Sequence, residues 1–470
     1  MQQLSGLDTL FLRLESGNTY LHVGPVLIYE PPGSGKGAPD FPEVLDLLEQ
    51  RLCHWDVLRR KLHETPWKLD NPYWIEDRDF RLKNHVSRSR LRKPGGMRQL
   101  CNEIARIHSR PLGRAHPLWK AHIIYGLDDM EGLPPDSFAI YFKTHHATMD
   151  GATGAHMIKA IHDPEPNEAS GPAVDRWEAE SDPSTLDLLS KALVNNIRQP
   201  FKLAGVVAQA IPAVQRIVKG TREQRFSSLG SKERTRFNGL IGPDRVVGFM
   251  QLGLAQAKQI SRQVPGATVN DVTLTVVSGA LRRYLDSKDE MPSISLVAAA
   301  PVNVRAHHPG KDGGNVISAM TVSLCTHVEN SLERLECVHQ QSVAAKAYHD
   351  ELGPEFATNL GDSLAPYLVA LVSKPLMASG ILGKTPPLAN TIVSNVPGPP
   401  KPLYFGGAKM VMIAGQGPCA DSLGLFHTVS SYCDVITIGF QACPTMLPDP
   451  EFYVSCIQES WDDLKAESEI

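Results

Sequence analysis

Two histidines followed at fixed spacing by an acid and a glycine, His145-His146-x-x-x-Asp150-Gly151, are the residues of this chain best suited to chemistry. They close the segment Ser137 to Gly154, SFAIYFKTHHATMDGATG. If that segment is extended, Phe138, Ile140, Phe142 and Thr144 share one face and His146 follows on it, while His145 points away. An imidazole delivered into an apolar interior is suited to act as a general base. Asp150 falls at the start of a helical pattern through Gly154, Met157, Ile158 and Ile161, so its carboxylate can orient the histidine turn or form a structural ion pair. Gly151 permits close backbone approach.

The same pattern recurs at His307-His308-Pro309-Gly310-Lys311-Asp312-Gly313. That copy holds Pro-Gly in its middle and leads into no apolar helix, so it reads as a polar loop. The first copy also has bland readings, a buried structural histidine or a metal ligand. Neither H-E-x-x-H nor H-x-H is present there, and no metal is expected. The chain lacks a G-x-S-x-G elbow and any Walker or dinucleotide fingerprint, which removes nucleotide and hydride chemistry.

The elements that must position the histidines alternate between strand and helix. Strand signals run Tyr20 to Glu30, Ala121 to Gly126 and Ser137 to Thr144; helical signals run Phe41 to Leu62 and Met97 to Ser109. The fold class is α/β. At 470 residues the chain suits two domains. Residues 1–162 form the first, 163–225 a linker or crossover, and 226–470 the second. The linker opens with an acidic, proline-rich stretch to Asp187. It continues through Leu188 to Arg222, with Lys191, Arg198, Lys202, Arg216, Lys219 and Arg222 and no acid. That stretch reads as a basic amphipathic helix pair broken near Pro200 and Pro212. It either packs on the second domain or docks on an anionic membrane or a phosphorylated cofactor. In the second domain, Asn270 to Leu285 reads as a long apolar helix. Charge is sparse after Thr385, so the strands there should be buried in a central sheet.

The formal net charge of −4, with signs mixed, leaves no nucleic-acid footprint. Eight cysteines without framework spacing suggest free thiols in a reducing compartment. The N-terminal residues lack a signal-peptide pattern, and no apolar run approaches the roughly 20 residues of a spanning helix.

With these motifs in order, the chain resembles the coenzyme-A-dependent acyltransferases of the chloramphenicol-acetyltransferase-like fold, and within them the bacterial wax ester synthase/acyl-CoA:diacylglycerol acyltransferase family. The resemblance runs through Leu21-His22-Val23-Gly24, Pro117-Leu118-Trp119, HHATMDG, Arg236-Phe237-Asn238-Gly239 and Val269-Asn270-Asp271-Val272. It continues with Ser278 to Arg282, Pro301 to Arg305, Gly314-Asn315 and Ser394-Asn395-Val396-Pro397-Gly398-Pro399. The D-F-G-W-G element of plant relatives is absent.

The resemblance implies two domains of that fold, each a mixed sheet with flanking helices, and an active-site tunnel at their interface. It makes His146 the general base, with no covalent acyl-enzyme. His145, Asp150 and Gly151 become supporting residues. Asn270 is either an oxyanion donor or an anchor for its helix, and Asp271 an N-terminal cap or domain-interface partner. Trp119 and Asn395 are expected to touch substrate. The stretch Tyr367 to Leu382 is a candidate wall for a long chain, or ordinary core. No bound cofactor is implied; acyl-CoA is the cosubstrate, and a long-chain fatty alcohol or a diacylglycerol the acceptor, giving wax ester or triacylglycerol. The implied location is cytoplasmic, peripheral to the inner membrane or lipid inclusions. Two other readings use the same residues: a stand-alone condensation-type domain acting on carrier-protein thioesters, and a non-catalytic lipid-binding protein.

Overall fold

A computed structural model describes the chain except residues 16, 34–36, 53, 54, 150, 167–179, 223–232, 304–316, 354–358, 360, 361, 364–370, 372–385 and 470. Asp150, the second histidine motif and most of the Tyr367 to Leu382 stretch therefore lie outside the described residues. The first half contains strands β1 (Gln2–Gln3), β2 (His22–Tyr29), β3 (Arg60–His63), β4 (Tyr73–Glu76), β5 (Val86–Arg90), β6 (Trp119–Leu127) and β7 (Ser137–His145). Its helices are α1 (Gly6–Leu14), α2 (Phe41–Leu52), α3 (Met97–His108), α4 (Gly151–Ala160) and α5 (Thr185–Arg222). The second half brings β8 (Val246–Gly253), α6 (Leu254–Ser261), α7 (Val269–Asp286), β9 (Val297–Asn303), β10 (Ile317–Ser323) and α8 (Ser331–Leu352). It ends with β11 (Thr391–Pro397), β12 (Tyr404–Phe405), β13 (Ala408–Gln416), β14 (Leu425–Tyr432), β15 (Val435–Ala442) and α9 (Pro450–Glu467).

Two six-stranded mixed sheets organise these elements. One has the order β12-β13-β2-β7-β6-β5, the other β10-β9-β11-β14-β15-β8; β1, β4 and β3 form a small third sheet. The expected division of the chain is thus not a clean division in space. Residues of the C-terminal half, β12 and β13, complete the N-terminal sheet, with Ala414 opposite Val26 and Ile413 opposite Leu27. The burial expected for the late strands is present in β13 and β15, where β13 takes it from the first sheet, but β11 is buried only at Thr391 and Val393. Where β13 runs past β14, Thr428 Oγ1 donates to the Gly415 carbonyl at 2.9 Å and stitches the two sheets together.

Strand β7 is buried along its whole length because both faces of its sheet are covered. Phe138, Ile140 and Phe142 pack with Val44, Leu48, Met157 and Ile161 of α2 and the α4 region. Ala139 and Tyr141 pack the other way, with Leu100 and Ile104 of α3 and with Val247 and Phe249 of β8. Burying side chains of this size is worth about 1.5–3 kcal/mol each, so this two-sided packing fixes β7 and the turn at its end.

Three expectations change. The helix expected over Phe41 to Leu62 ends at Leu52, and Arg60–His63 is a strand paired with β4. The expected helix pair is one helix, α5, that runs through both prolines. Pro200 and Pro212 are exposed, where water can take the carbonyl each leaves without a donor. The cysteines are not all free: Cys325 and Cys337 form a disulfide with Cα atoms 6.2 Å apart. The short connection from β10 to α8 brings the two together, which spacing alone did not signal. Cys101, Cys419, Cys433, Cys443 and Cys456 are free thiols.

Candidate active site

The histidine pair is clamped through backbone rather than side chains. The His145 amide donates to the Leu118 carbonyl at 2.9 Å and the His146 amide to the Leu21 carbonyl at 2.8 Å. The residues just before β6 and β2 therefore hold the pair from both sides. This places the Leu21-His22-Val23-Gly24 and Pro117-Leu118-Trp119 segments against the histidines. Gly24 is required by contact: a Cβ there would lie 1.6 Å from the Phe142 carbonyl oxygen.

His146 sits in the turn after β7, partly exposed, with its ring 4.8 Å from that of Phe11 on α1. His145 does not face solvent. It is buried, on the face of β7 that α3 covers. The Ala147 amide donates to His145 Nδ1 at 3.0 Å, so the neutral ring carries its proton on Nε2. That nitrogen lies 3.7 Å from Glu15 Oε1, which is also 3.4 Å from His22 Nε2. Arg114 holds the other Glu15 oxygen at 2.8 Å. Burial, with Arg114 and His146 nearby, pushes His145 down to about 3, so it stays neutral and cannot compete as a proton acceptor near neutral pH. Through the Ala147 amide it is bonded to the turn that carries His146.

Beneath the pair, Lys143 is buried and its Nζ donates to the Ile107 carbonyl at 2.8 Å and to the carbonyls of His108 and Arg110. It ties the C-terminal end of α3 to β7, where a helix end favours a cation. Burial nonetheless lowers its pKa to about 7, with Glu15 opposing the shift.

The second half reaches this turn through β11. Gly151 opens α4, and a Cβ on it would stand 3.2 Å from Val396 Cγ2. The neighbouring Asn395 donates from Nδ2 to Asn270 Oδ1 at 3.0 Å. Asn270 lies in the first turn of α7, so β11 links the start of α4 at Gly151 to α7 through Val396 and Asn395. In this orientation the Asn270 amide nitrogen remains a donor. Asp271 is the reciprocal member of a capping box. Its Oδ2 accepts from the Thr268 amide and hydroxyl at 2.9 Å each, and it also contacts His339 Nδ1 of α8 at 3.1 Å. Its role is the cap, inside the second half.

Trp119 is placed elsewhere than expected. It is buried in the N-terminal core, its indole N–H donates to the Leu58 carbonyl at 2.7 Å, and its ring stacks on His85. With its polar handle satisfied and its surface covered, it packs the base of β6 and does not reach a ligand. Conversely, Phe11, Glu15 and Arg114 escaped the sequence reading. The only signal was Glu15 at the end of α1. Among the described residues, no group of three His, Cys, Asp or Glu is arranged to hold a metal ion.

Residues 4–273 match the wax ester synthase/diacylglycerol acyltransferase catalytic domain, and residues 313–465 match the WS/DGAT C-terminal domain. The chain belongs to the wax ester synthase/diacylglycerol acyltransferase family. It is an acyltransferase of the α/β, chloramphenicol-acetyltransferase-like kind. The O-acyltransferase WSD of Acinetobacter baylyi is 30% identical, over 98% of this chain and 96% of its own length. The solved wax ester synthase/diacylglycerol acyltransferase of Marinobacter aquaeolei superposes with a TM-score of 0.68, at 26% identity and with full coverage of both chains. The fold extends further. A starter condensation domain of rhizomide synthetase, solved with C8-CoA and Leu-SNAC, superposes with a TM-score of 0.53 at 15% identity, covering 100% of this chain and 94% of its own.

Proposed function

We propose that this acyltransferase moves a long-chain acyl group from acyl-CoA to the hydroxyl of a long-chain fatty alcohol, of a diacylglycerol, or of both. His146 accepts the hydroxyl proton as the oxygen attacks the thioester carbonyl. The C–S bond then breaks, and the imidazolium returns the proton to the departing CoA thiolate. One ester forms, one thioester is lost, and no acyl-enzyme intervenes. The observation that carries this reading is the placement of His146: a partly exposed imidazole on a backbone-clamped turn that leads into α4, whose first residue meets β11 beside Asn395.

Asn270, through the amide that Asn395 orients, is the candidate donor to the tetrahedral oxyanion; such donors are worth about 10²–10³ in rate. Gly151 lets α4 approach β11 closely, His145 holds the turn, and Asp150 is a supporting residue of the same motif. A tunnel between the halves, with CoA entering from one side and the acceptor from the other, suits the convergence of β7, α4 and β11. No helix among the described residues is long and apolar enough to cross a membrane. Water-insoluble acceptors fit peripheral association with a membrane or lipid inclusion.

The test is release of free CoA thiol from palmitoyl-CoA, with hexadecanol and dipalmitoylglycerol assayed in parallel. His146→Ala is expected to lower turnover by about 10²–10⁴ with unchanged folding, and His308→Ala to leave it intact. Full turnover in His146→Ala would refute the mechanism. Dependence on a carrier protein would move the chain to the condensation class.

A further inference from the structure

We propose that the outward face of α5 docks this protein on an anionic lipid surface, an inference that rests on the lipid-acyl transfer reading and names the partner of its acceptor side. The helix has three distinct faces. One is fixed to the protein. Leu188, Ala192 and Gln199 are buried there, Asn195 Nδ2 donates to Asp70 Oδ2 at 2.7 Å, and Asn196 Nδ2 donates to the Leu69 carbonyl at 2.8 Å.

Opposite lies an apolar stripe. Leu186, Leu193, Ile197, Phe201 and Ile211 are all exposed, and at about 100° per residue they fall within roughly a quarter of the helix circumference. Phe201 is 77% exposed and Leu186 79%. Lys191, Arg198 and Lys202 form a third row, roughly a third of a turn from the stripe and also exposed, with Lys191 paired at 2.9 Å to Asp187 in the first turn of the helix. From Leu188 to Arg222 there is no acidic residue.

A second element adds to this face. The turn Pro66–Lys68 packs beside α5, next to the Leu69 carbonyl that Asn196 holds, and leaves Trp67 82% exposed. Trp67 and Lys68 both have positive φ, 51° and 57°, a strained backbone for non-glycine residues. An indole kept in water at that cost suits the boundary between headgroups and acyl chains, where tryptophan is favoured.

Charge decides between occupants. A second copy packing antiparallel on this face across a two-fold axis would set its cation row against an identical row, whereas an anionic bilayer neutralises it. The helix lies along such a surface and does not cross it, with apolar residues sunk among the acyl chains and cations at the headgroups.

The experiment uses the full chain and vesicle flotation, with phosphatidylcholine alone and with phosphatidylcholine–phosphatidylglycerol mixtures. Wild type should float with the mixed vesicles. The combined variant Lys191→Gln, Arg198→Gln, Lys202→Gln should bind them on the order of a hundredfold more weakly. The combined variant Leu193→Ser, Ile197→Ser, Phe201→Ser should lose flotation with an unchanged circular dichroism spectrum. In both, acyl transfer to vesicle-borne dipalmitoylglycerol should fall while transfer to a short water-soluble alcohol stays at the wild-type rate. Unchanged flotation of both variants overturns the proposal. So does a variant whose oligomeric state changes while its flotation does not, which would make the face a self-contact. Flotation that depends on these residues, in a protein transferring acyl groups to neither acceptor, would uphold the docking surface and sink only the enzymatic reading.

Discussion

Acid should unfold this protein through histidines its fold holds neutral. Burial lowers His85, His122 and His162 to about 4, and His145 and His427 to about 3. Their hydrogen bonds fit neutral rings: His427 lies between Thr391 Oγ1 at 3.0 Å and Tyr453 OH at 2.8 Å, and His162 Nε2 meets Tyr29 OH at 2.8 Å. In the unfolded chain each would titrate near 6.5. Each folded pKa is depressed, so between about 4 and 6.5 the unfolded state binds more protons. The contribution to stability is therefore complete above about 6.5 and is lost as pH falls. At pH 5.5, one unit below the unfolded pKa, each histidine costs about 1.4 kcal/mol, and the five together cost about 7 kcal/mol. Domains carry only about 5–15 kcal/mol in total, so cooperative structure should fail near pH 5. Urea unfolding followed by circular dichroism from pH 8 to pH 5 measures this directly. Near pH 5.5 its slope should correspond to uptake of at least about four protons on unfolding, to which His22 and His108, also held well below the usual range by burial, add. His162→Gln should lower that number by about one. Stability unchanged between pH 7.5 and 5.5, or uptake of less than one proton, would refute the reasoning.

Two further outcomes follow from the site. Glu15→Gln removes the charge between His145, His22 and Arg114 while keeping its shape. Misplacing a catalytic group by about 1 Å can cost about 10²-fold, so steady-state kinetics should show kcat down about 10- to 100-fold with KM for palmitoyl-CoA nearly unchanged. An unchanged kcat would show that His146 does not depend on this support. Gly151→Ala puts a methyl 3.2 Å from Val396 Cγ2, and turnover should fall about tenfold as α4 and β11 shift apart. Val396→Ala should restore most of the loss in a double-mutant cycle, and strict additivity would place the effect elsewhere.

The sequence was most legible where consequences are local. The alternation of Phe138, Ile140 and Phe142 marked β7 to within a residue, and the histidine pair fell at its end. Of the two readings open for Asp271, a helix cap or a domain-interface partner, the structure has the cap, since the capping box is complete within four residues. The rest depended on contacts made at long range. Glu15 and Phe11 meet the histidines across more than a hundred residues, and β13 joins a sheet whose other long strands were made before residue 150. Neither arrangement leaves a period or a spacing to read.

Trp119 shows a subtler confusion. A recognisable segment can mark a surface that touches substrate or a backbone that must lie in one place, and residue identity does not separate the two. Here Leu118 and Leu21 contribute their carbonyls to the histidine pair, while Trp119 locks the strand that carries one of them. Removing the Trp119 ring should therefore act on His146 through the position of β6: it should lower stability and kcat together, where loss of a substrate contact would raise KM alone.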